Sequence, residues 1–258
     1  MVKMANYGID VSEHNGVINW SLARKNIEFC FIRGGYGKNN IDKKFYYNAN
    51  GCKNNRIPFG IYWFSYALSV QDAVNEATYV CNLADDYSPD LPIAFDWEYD
   101  SDRYAKDKGV NVTNSMREAF AVAFLEEVIK RGYQPLLYTN PDYVHNKGFI
   151  KLINIYPLWL AQWGTNKPSI RCAYWQTSTQ GSVNGINTSV DVDICYDASG
   201  VVGKDFSDIM EKAEIKYKNV AYDIIAGKYG TGSTRKKKLK EAGYDYDLAQ
   251  EFVNRILE

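Results

Sequence analysis

The sequence predicts an α/β fold: an irregular (β/α) barrel of eight strands with fewer than eight helices, followed by a small C-terminal three-helix bundle. Three observations lead there. Short apolar runs bounded by turn residues recur eight times, helical patterns separate the early ones, and the texture of the chain changes near Ala198. Strands alternating with helices imply a parallel sheet with both faces covered.

The strand candidates are Tyr7 to Val11, Phe29 to Arg33, Phe59 to Phe64, Ile93 to Trp97, Leu136 to Tyr138, Leu158 to Gln162, Ala173 to Gln176 and Val190 to Cys195. Helical patterns occupy Ser21 to Asn26, Asp42 to Asn54, Asp72 to Ala84 and Ser115 to Lys130. The last of these has Ser115 and Glu118 at capping-box spacing, an apolar stripe of Phe120, Phe124, Leu125 and Val128, and Gly132 just past its end. After Tyr138 the spacing tightens. Too few residues separate the last strands for full crossover helices, so the final third of the barrel is expected to be irregular. The polar stretch Asp205 to Asn219 reads as a helical linker. Beyond it, Asn219 to Ala226, Arg235 to Ala242 and Leu248 to Leu257 read as three short amphipathic helices. The expected domains are 1–200, a linker over 201–218, and 219–258.

Composition excludes several functions. A net charge of −1 lacks the clustered basic surface of a nucleic-acid-binding domain. Cys30, Cys52, Cys81, Cys172 and Cys195 are odd in number and irregularly spaced, so they read as reduced core residues and not as a disulfide framework. With only His14 and His145, metal chemistry is not expected, and no cofactor is implied. No stretch approaches the apolar length of a membrane span, and the start lacks a signal-peptide core. The chain is therefore expected to be made in a cytoplasm with no Sec route out. Aromatic residues make up 15% of the chain, more than a core needs and of a type that stacks on sugar rings, so carbohydrate is the first substrate class to test.

Carboxylates end three of the apolar strands: Asp10 after Gly8-Ile9, Asp96 and Glu98 around Trp97, and Asp191 with Asp193 on the last strand. In a barrel these ends form the C-terminal rim, where the chemistry of such folds sits. The i,i+2 spacing of Asp96 and Glu98 sends both to one face, and the apolar run Leu91 to Phe95 leading into them argues against ordinary solvated surface acids. A buried carboxyl beside a second one has a raised pKa and can donate a proton to a leaving glycosidic oxygen. Asp10 and Asp191 join them if the first and last strands are neighbours. Tyr36, Tyr62, Trp63, Tyr66, Tyr138, Trp159, Trp163 and Trp175 fall at or just after strand ends, where a saccharide cleft needs stacking platforms. Strand alternation turns some of these into core instead.

At this point the residues resemble glycoside hydrolase family 25, lysozymes that include phage endolysins and bacterial muramidases. The resemblance rests on Tyr7-Gly-Ile-Asp-Val-Ser12, Ile18-Asn-Trp20, Phe31-Ile-Arg-Gly-Gly-Tyr-Gly37, Gly60-Ile-Tyr-Trp-Phe64, Asp96-Trp-Glu98, Leu137-Tyr-Thr-Asn140, Leu158-Trp-Leu-Ala161, Trp175-Gln176, Gly185-Ile186 and Val190-Asp191, in the family's order. It implies a flattened barrel and hydrolysis of the β-1,4 bond from N-acetylmuramic acid to N-acetylglucosamine in peptidoglycan strands. It also implies Glu98 as general acid beside Asp96, Asp10 and Asp191, and Gln176 in the substrate cleft. The family often has Asn where this chain has Asp193, which makes Asp191 the choice and Asp193 the fallback. Retaining and inverting mechanisms both stay open. With no signal-peptide core, the resemblance to phage endolysins implies a chain held in a host bacterial cytoplasm until it is released to act at the cell wall. Residues 219–257 resemble the choline-independent wall-binding repeat of phage lysozymes, implying wall contacts from Lys228, Tyr229, Arg235, Tyr244 and Tyr246. Such repeats occur in tandem, so a single copy raises self-association as a source of avidity. The alternatives are a non-catalytic wall-binding lectin and a glycosidase acting on chitin-like polymers.

Overall fold

The computed structural model describes residues 6–196, 220–242, 244, 246, 249–250 and 253–254. The chain divides into two compact units, Met1–Lys204 and Asp205–Glu258. The expected linker, 201–218, lies outside the described residues, as do parts of the third expected C-terminal helix.

In the first unit the strands are β1 (Asn6–Val11), β2 (Phe29–Tyr36), β3 (Asn40–Ile41), β4 (Phe59–Phe64), β5 (Ile93–Asp96), β6 (Pro135–Thr139), β7 (Leu158–Ala161), β8 (Tyr174–Gly181) and β9 (Val190–Cys195). The sheet runs β1-β9-β8-β7-β6-β5-β4-β2-β3, and pairing of β1 with β2 closes it. Eight strands form the ring, and the short β3 is an added antiparallel edge on β2. From β1 to β8 the ring is parallel, but β9 runs antiparallel to both β8 and β1. The fully parallel expectation is corrected there. Only residues 182–189 separate β8 from β9, too few for a crossover, so the chain turns back as a hairpin.

Six α-helices stand among the described residues of this unit: α1 (Trp20–Ala23), α2 (Phe45–Asn55), α3 (Val70–Tyr87), α4 (Tyr99–Asp107), α5 (Asn114–Lys130) and α6 (Pro141–Asn146). The start of α5 corrects the expected capping box. Thr113, in extended backbone, accepts the Met116 N–H at 3.2 Å and is the cap, while Ser115 lies inside the helix and Glu118 pairs with Lys151.

The barrel interior is filled mainly by side chains from alternate strand positions. Phe29, Phe31, Ala94, Leu136, Tyr138, Trp159, Tyr174 and Cys195 form one buried cluster, with Phe31 stacked on Trp159 at 4.4 Å. Room for these rings comes from two glycines. A Cβ on Gly8 or Gly60 would lie 2.4 Å from the ring of Phe29 or Phe31. All five cysteines are buried, as the sequence suggested.

In the second unit, residues 220–225 are helical, α7 spans Gly232–Glu241, and Val220, Ala221, Ile224, Leu239, Ala249 and Val253 form a small core flanked by Tyr229, Tyr244 and Tyr246. Gly60→Ala is expected to lower unfolding free energy by about 1–3 kcal/mol through overpacking, read as a lower urea midpoint at unchanged slope.

Candidate active site

Strand direction decides what reaches the rim. Seven parallel strands bring their C-terminal ends to one mouth, and the antiparallel β9 brings its N-terminal end there. Thus Asp10 pairs with Asp191 across β1 and β9, Asp96 with Tyr138 across β5 and β6, and Gln176 with Asp193 across β8 and β9. A cleft of about 330 Å³ opens at this mouth, and its lining includes Asp10, Arg33, Tyr62, Asp96, Glu98, Tyr138, Trp159, Gln176 and Asp191. All four expected acids face it. Asp193 does not line it and lies deeper, fully buried, with Oδ1 accepting the Trp159 indole N–H at 2.8 Å.

Burial dominates the electrostatics. Asp10 is pushed well above the usual carboxylate range, first by desolvation and then by the neighbouring charges of Asp193 and Asp191. Asp96 is raised by burial and by Glu98, against the pull of Arg33. Burial also raises Glu98, opposed by its hydrogen bonding with Tyr138 and reinforced by Asp191. Desolvation lifts Asp191 to about 6 and Asp193 to about 8, and each is hydrogen-bonded to Asp10. The buried Asp193 Oδ2 receives no amide, indole or hydroxyl donor.

Gln176 organises this cluster. Its Nε2 donates to Asp10 Oδ2 at 2.8 Å, and its Oε1 accepts the Tyr138 hydroxyl and the Trp163 indole N–H, both at 3.1 Å. The two donors fix the orientation of the amide. On the opposite wall, Arg33 is held by Asp42 at 2.7 Å and Glu13 at 3.1 Å, with His14 beside it.

The aromatic candidates divide by strand alternation. Tyr62, Tyr138 and Trp159 point inward and line the cleft. Trp163 is 55% exposed beside Gln176. Tyr36 and Tyr66 touch edge to face at 6.3 Å, next to Arg33 and Phe64, outside the cleft lining. Two expectations are corrected. Trp63 faces outward, fully buried beside Tyr79 of α3 and bonded to Gly37, and Trp175 packs outward with Leu158, Leu160 and Cys172. Neither lines the cleft, because each directly follows or precedes the residue that does. Arg33, Asp42 and Tyr138's bond to Glu98 were not singled out from sequence; the arginine stood inside the Phe31 to Gly37 fragment, but its partners are distant in the chain.

In the second unit Lys228 is ion-paired with Asp223. Arg235 donates to Gly230 O at 3.0 Å and Gln250 Oε1 at 2.9 Å, Lys236 lies over the Tyr246 ring, and Tyr229 meets Tyr244 edge to face.

A closed barrel with a carboxyl-lined cleft at its C-terminal rim is the arrangement of a glycoside hydrolase. Residues 9–186 match the model of glycosyl hydrolases family 25, and the chain belongs to that family. Residues 218–257 match the CW_7 repeat. The chain is 26% identical to the autolytic lysozyme of Clostridium acetobutylicum over 189 residues, 72% of this chain but only 54% of the clostridial protein's length. It is 25% identical over 269 residues to the lysozyme of Streptococcus phage Cp-7, covering 99% of this chain and 71% of that one. The bacterial lysozyme of Streptomyces coelicolor shares the fold at a TM-score of 0.65 and 23% identity, covering 77% of this chain and 95% of that one. No metal-binding cluster and no helix long and apolar enough to cross a membrane occur among the described residues.

The raised carboxyls carry a sign that stability measurements can read. A folded-state pKa above the ordinary value of 3.8 means the folded chain holds protons that the unfolded chain has lost, so this contribution is full below about pH 4 and is lost as pH rises through about 8. The melting temperature of the wild type is expected to fall across that window, and Asp193→Asn to flatten the slope. Parallel slopes in the two proteins would contradict the assignment.

Proposed function

We propose that this chain is a muramidase that hydrolyses the β-1,4 bond from N-acetylmuramic acid to N-acetylglucosamine in bacterial peptidoglycan, with Glu98 as general acid and base. The observation that carries the proposal is the placement of Glu98 in the cleft lining together with Asp96, with its pKa raised by burial. A carboxyl with a raised pKa keeps its proton more readily for a departing sugar oxygen.

Glu98 donates its proton to the glycosidic oxygen as that bond breaks. Asp96 Oδ1 is buried and has no hydrogen-bond partner, so it suits the N–H of the 2-acetamido group, whose carbonyl oxygen then attacks the anomeric carbon. Water, deprotonated by the Glu98 carboxylate, opens the resulting ring with net retention. Asp10 and Asp191, fixed through Gln176, keep negative charge next to the developing cation while sharing protons among themselves. Tyr62, partly exposed in the cleft lining, offers an apolar face to the sugar, backed by the buried rings of Trp159 and Tyr138. The C-terminal repeat brings the enzyme to the wall through Lys228, Tyr229, Arg235, Tyr244 and Tyr246. A lytic role after release from a phage-infected host accords with the whole-length likeness to the Cp-7 lysozyme.

The test is the chemistry of the new ends. Purified peptidoglycan treated with wild type, then reduced with borohydride, is expected to give reduced muramic acid by mass spectrometry, and Glu98→Gln to lower the rate by about 1,000-fold. Reduced glucosamine ends would reassign the bond. No release with wall binding intact would make the barrel a lectin. The wild-type kcat is expected to fall on the alkaline side as Glu98 loses its proton.

A further inference from the structure

The fragment Asp96-Trp97-Glu98 is held from behind by a group outside the cleft. Asp102, one turn into α4, accepts three hydrogen bonds from three different elements. The Trp97 indole N–H reaches Oδ1 at 3.2 Å, Arg117 Nε of α5 reaches Oδ1 at 2.7 Å, and the Tyr143 hydroxyl of α6 reaches Oδ2 at 2.9 Å. Arg117 is itself fixed, with Nη1 on Asn114 Oδ1 at 2.9 Å and Nη2 on Val112 O at 3.1 Å. Trp97 is fully buried between Phe95 and Phe120. The same first turn of α4 grips the backbone of Glu98 at both its groups: the Ser101 and Asp102 N–H groups donate to Glu98 O at 3.0 and 3.2 Å, and the Glu98 N–H donates to Ser101 Oγ at 3.1 Å.

We infer that Asp102 is a positioning residue for Glu98: by tying the first turn of α4 and the Trp97 indole to α5 and α6, it sets where the Glu98 carboxyl stands over the cleft. The inference rests on the proposed role of Glu98. A carboxylate is suited to this post because it accepts from all three donors at once, one of them cationic. Glu98 sits at the junction of a strand and a short helix, and both of its backbone groups bond to that helix's first turn, so anchoring the turn anchors the acid. The charged and titratable groups that act on Glu98 are Asp96, Asp191, Tyr138, Tyr66 and Tyr99, and the Asp102 carboxylate acts through position.

The test compares Asp102→Ala, Asp102→Asn, Glu98→Gln and a control, Asp85→Asn, which breaks an ion pair with Arg131 outside the cleft. Each full-length variant is assayed on soluble peptidoglycan fragments across pH, with melting temperatures measured in parallel. Asp102→Ala is expected to lower kcat by about 100-fold, the cost of misplacing a reacting group by about 1 Å, with KM changed by less than about twofold. Its alkaline limb is expected to move to lower pH, because a loosened Glu98 is better solvated and gives up its proton more readily. Asp102→Asn, which keeps an acceptor for Trp97 and Arg117, is expected to recover most of kcat and the limb; Asp85→Asn leaves both unchanged. Wild-type kcat in Asp102→Ala while Glu98→Gln is inactive would overturn the inference and leave the role of Glu98 standing. A loss of kcat with the limb unmoved, or matched by Asp102→Asn, would reduce Asp102 to a structural part and overturn it equally. Activity retained in Glu98→Gln would overturn both readings.

Discussion

Five carboxyl groups crowd the mouth and upper interior of one small barrel, and they cannot all be ionised. Three of them, Asp10, Asp96 and Asp193, are at most 6% exposed, and burial raises the pKa of Asp10, Asp191 and Asp193 toward retention of their protons. The cost of desolvating charge is what forces those protons to stay. Much of the surrounding structure answers to that constraint: Gln176 turns its amide so that an N–H meets Asp10, Trp159 spends its indole N–H on Asp193, and Arg33 supplies a cation in the cleft lining, opposing the rise of the Asp96 pKa. Glu98 stands at the outer edge of the same cluster, and the rise of its pKa has the same first cause, desolvation.

The architecture serves this cluster. Parallel strands deliver C-terminal ends to one rim, and the reversal of β9 delivers Asp191 there with Asp193 one layer below. Had β9 been parallel, Asp193 would have stood nearer the rim than Asp191. The choice between the two acids is therefore made by strand direction. The lower barrel is sealed by Phe29 and Phe31, admitted by Gly8 and Gly60, so the carboxyls rest on an apolar floor that keeps their effective dielectric low.

Much of this was legible in the sequence because it is written locally. All eight ring strands announce themselves as apolar runs, and the acids at their ends are visible without knowing the pairing. What depends on pairing was less visible. The direction of β9 followed from a short connection, the placement of Trp63 and Trp175 from a one-residue phase in strand alternation, and the cap of α5 from a threonine two residues before the expected serine. Helix α4 is short and mostly polar, with Ser101 and Ala105 as its buried residues, so no apolar run of the kind that marks α3 and α5 points to it. The Arg33 to Asp42 and Asp102 to Arg117 pairs join residues from different elements, which no local pattern encodes.

The central claim is that burial keeps protons on this cluster at neutral pH. It is tested most directly by following the side-chain carboxyl carbons of isotope-labelled protein by NMR across a pH titration. The account predicts that Asp193 and at least one partner still show protonated carboxyl shifts at neutral pH, and that Glu98 titrates above an ordinary glutamate. Five carboxylates all ionised well below neutral pH would contradict it.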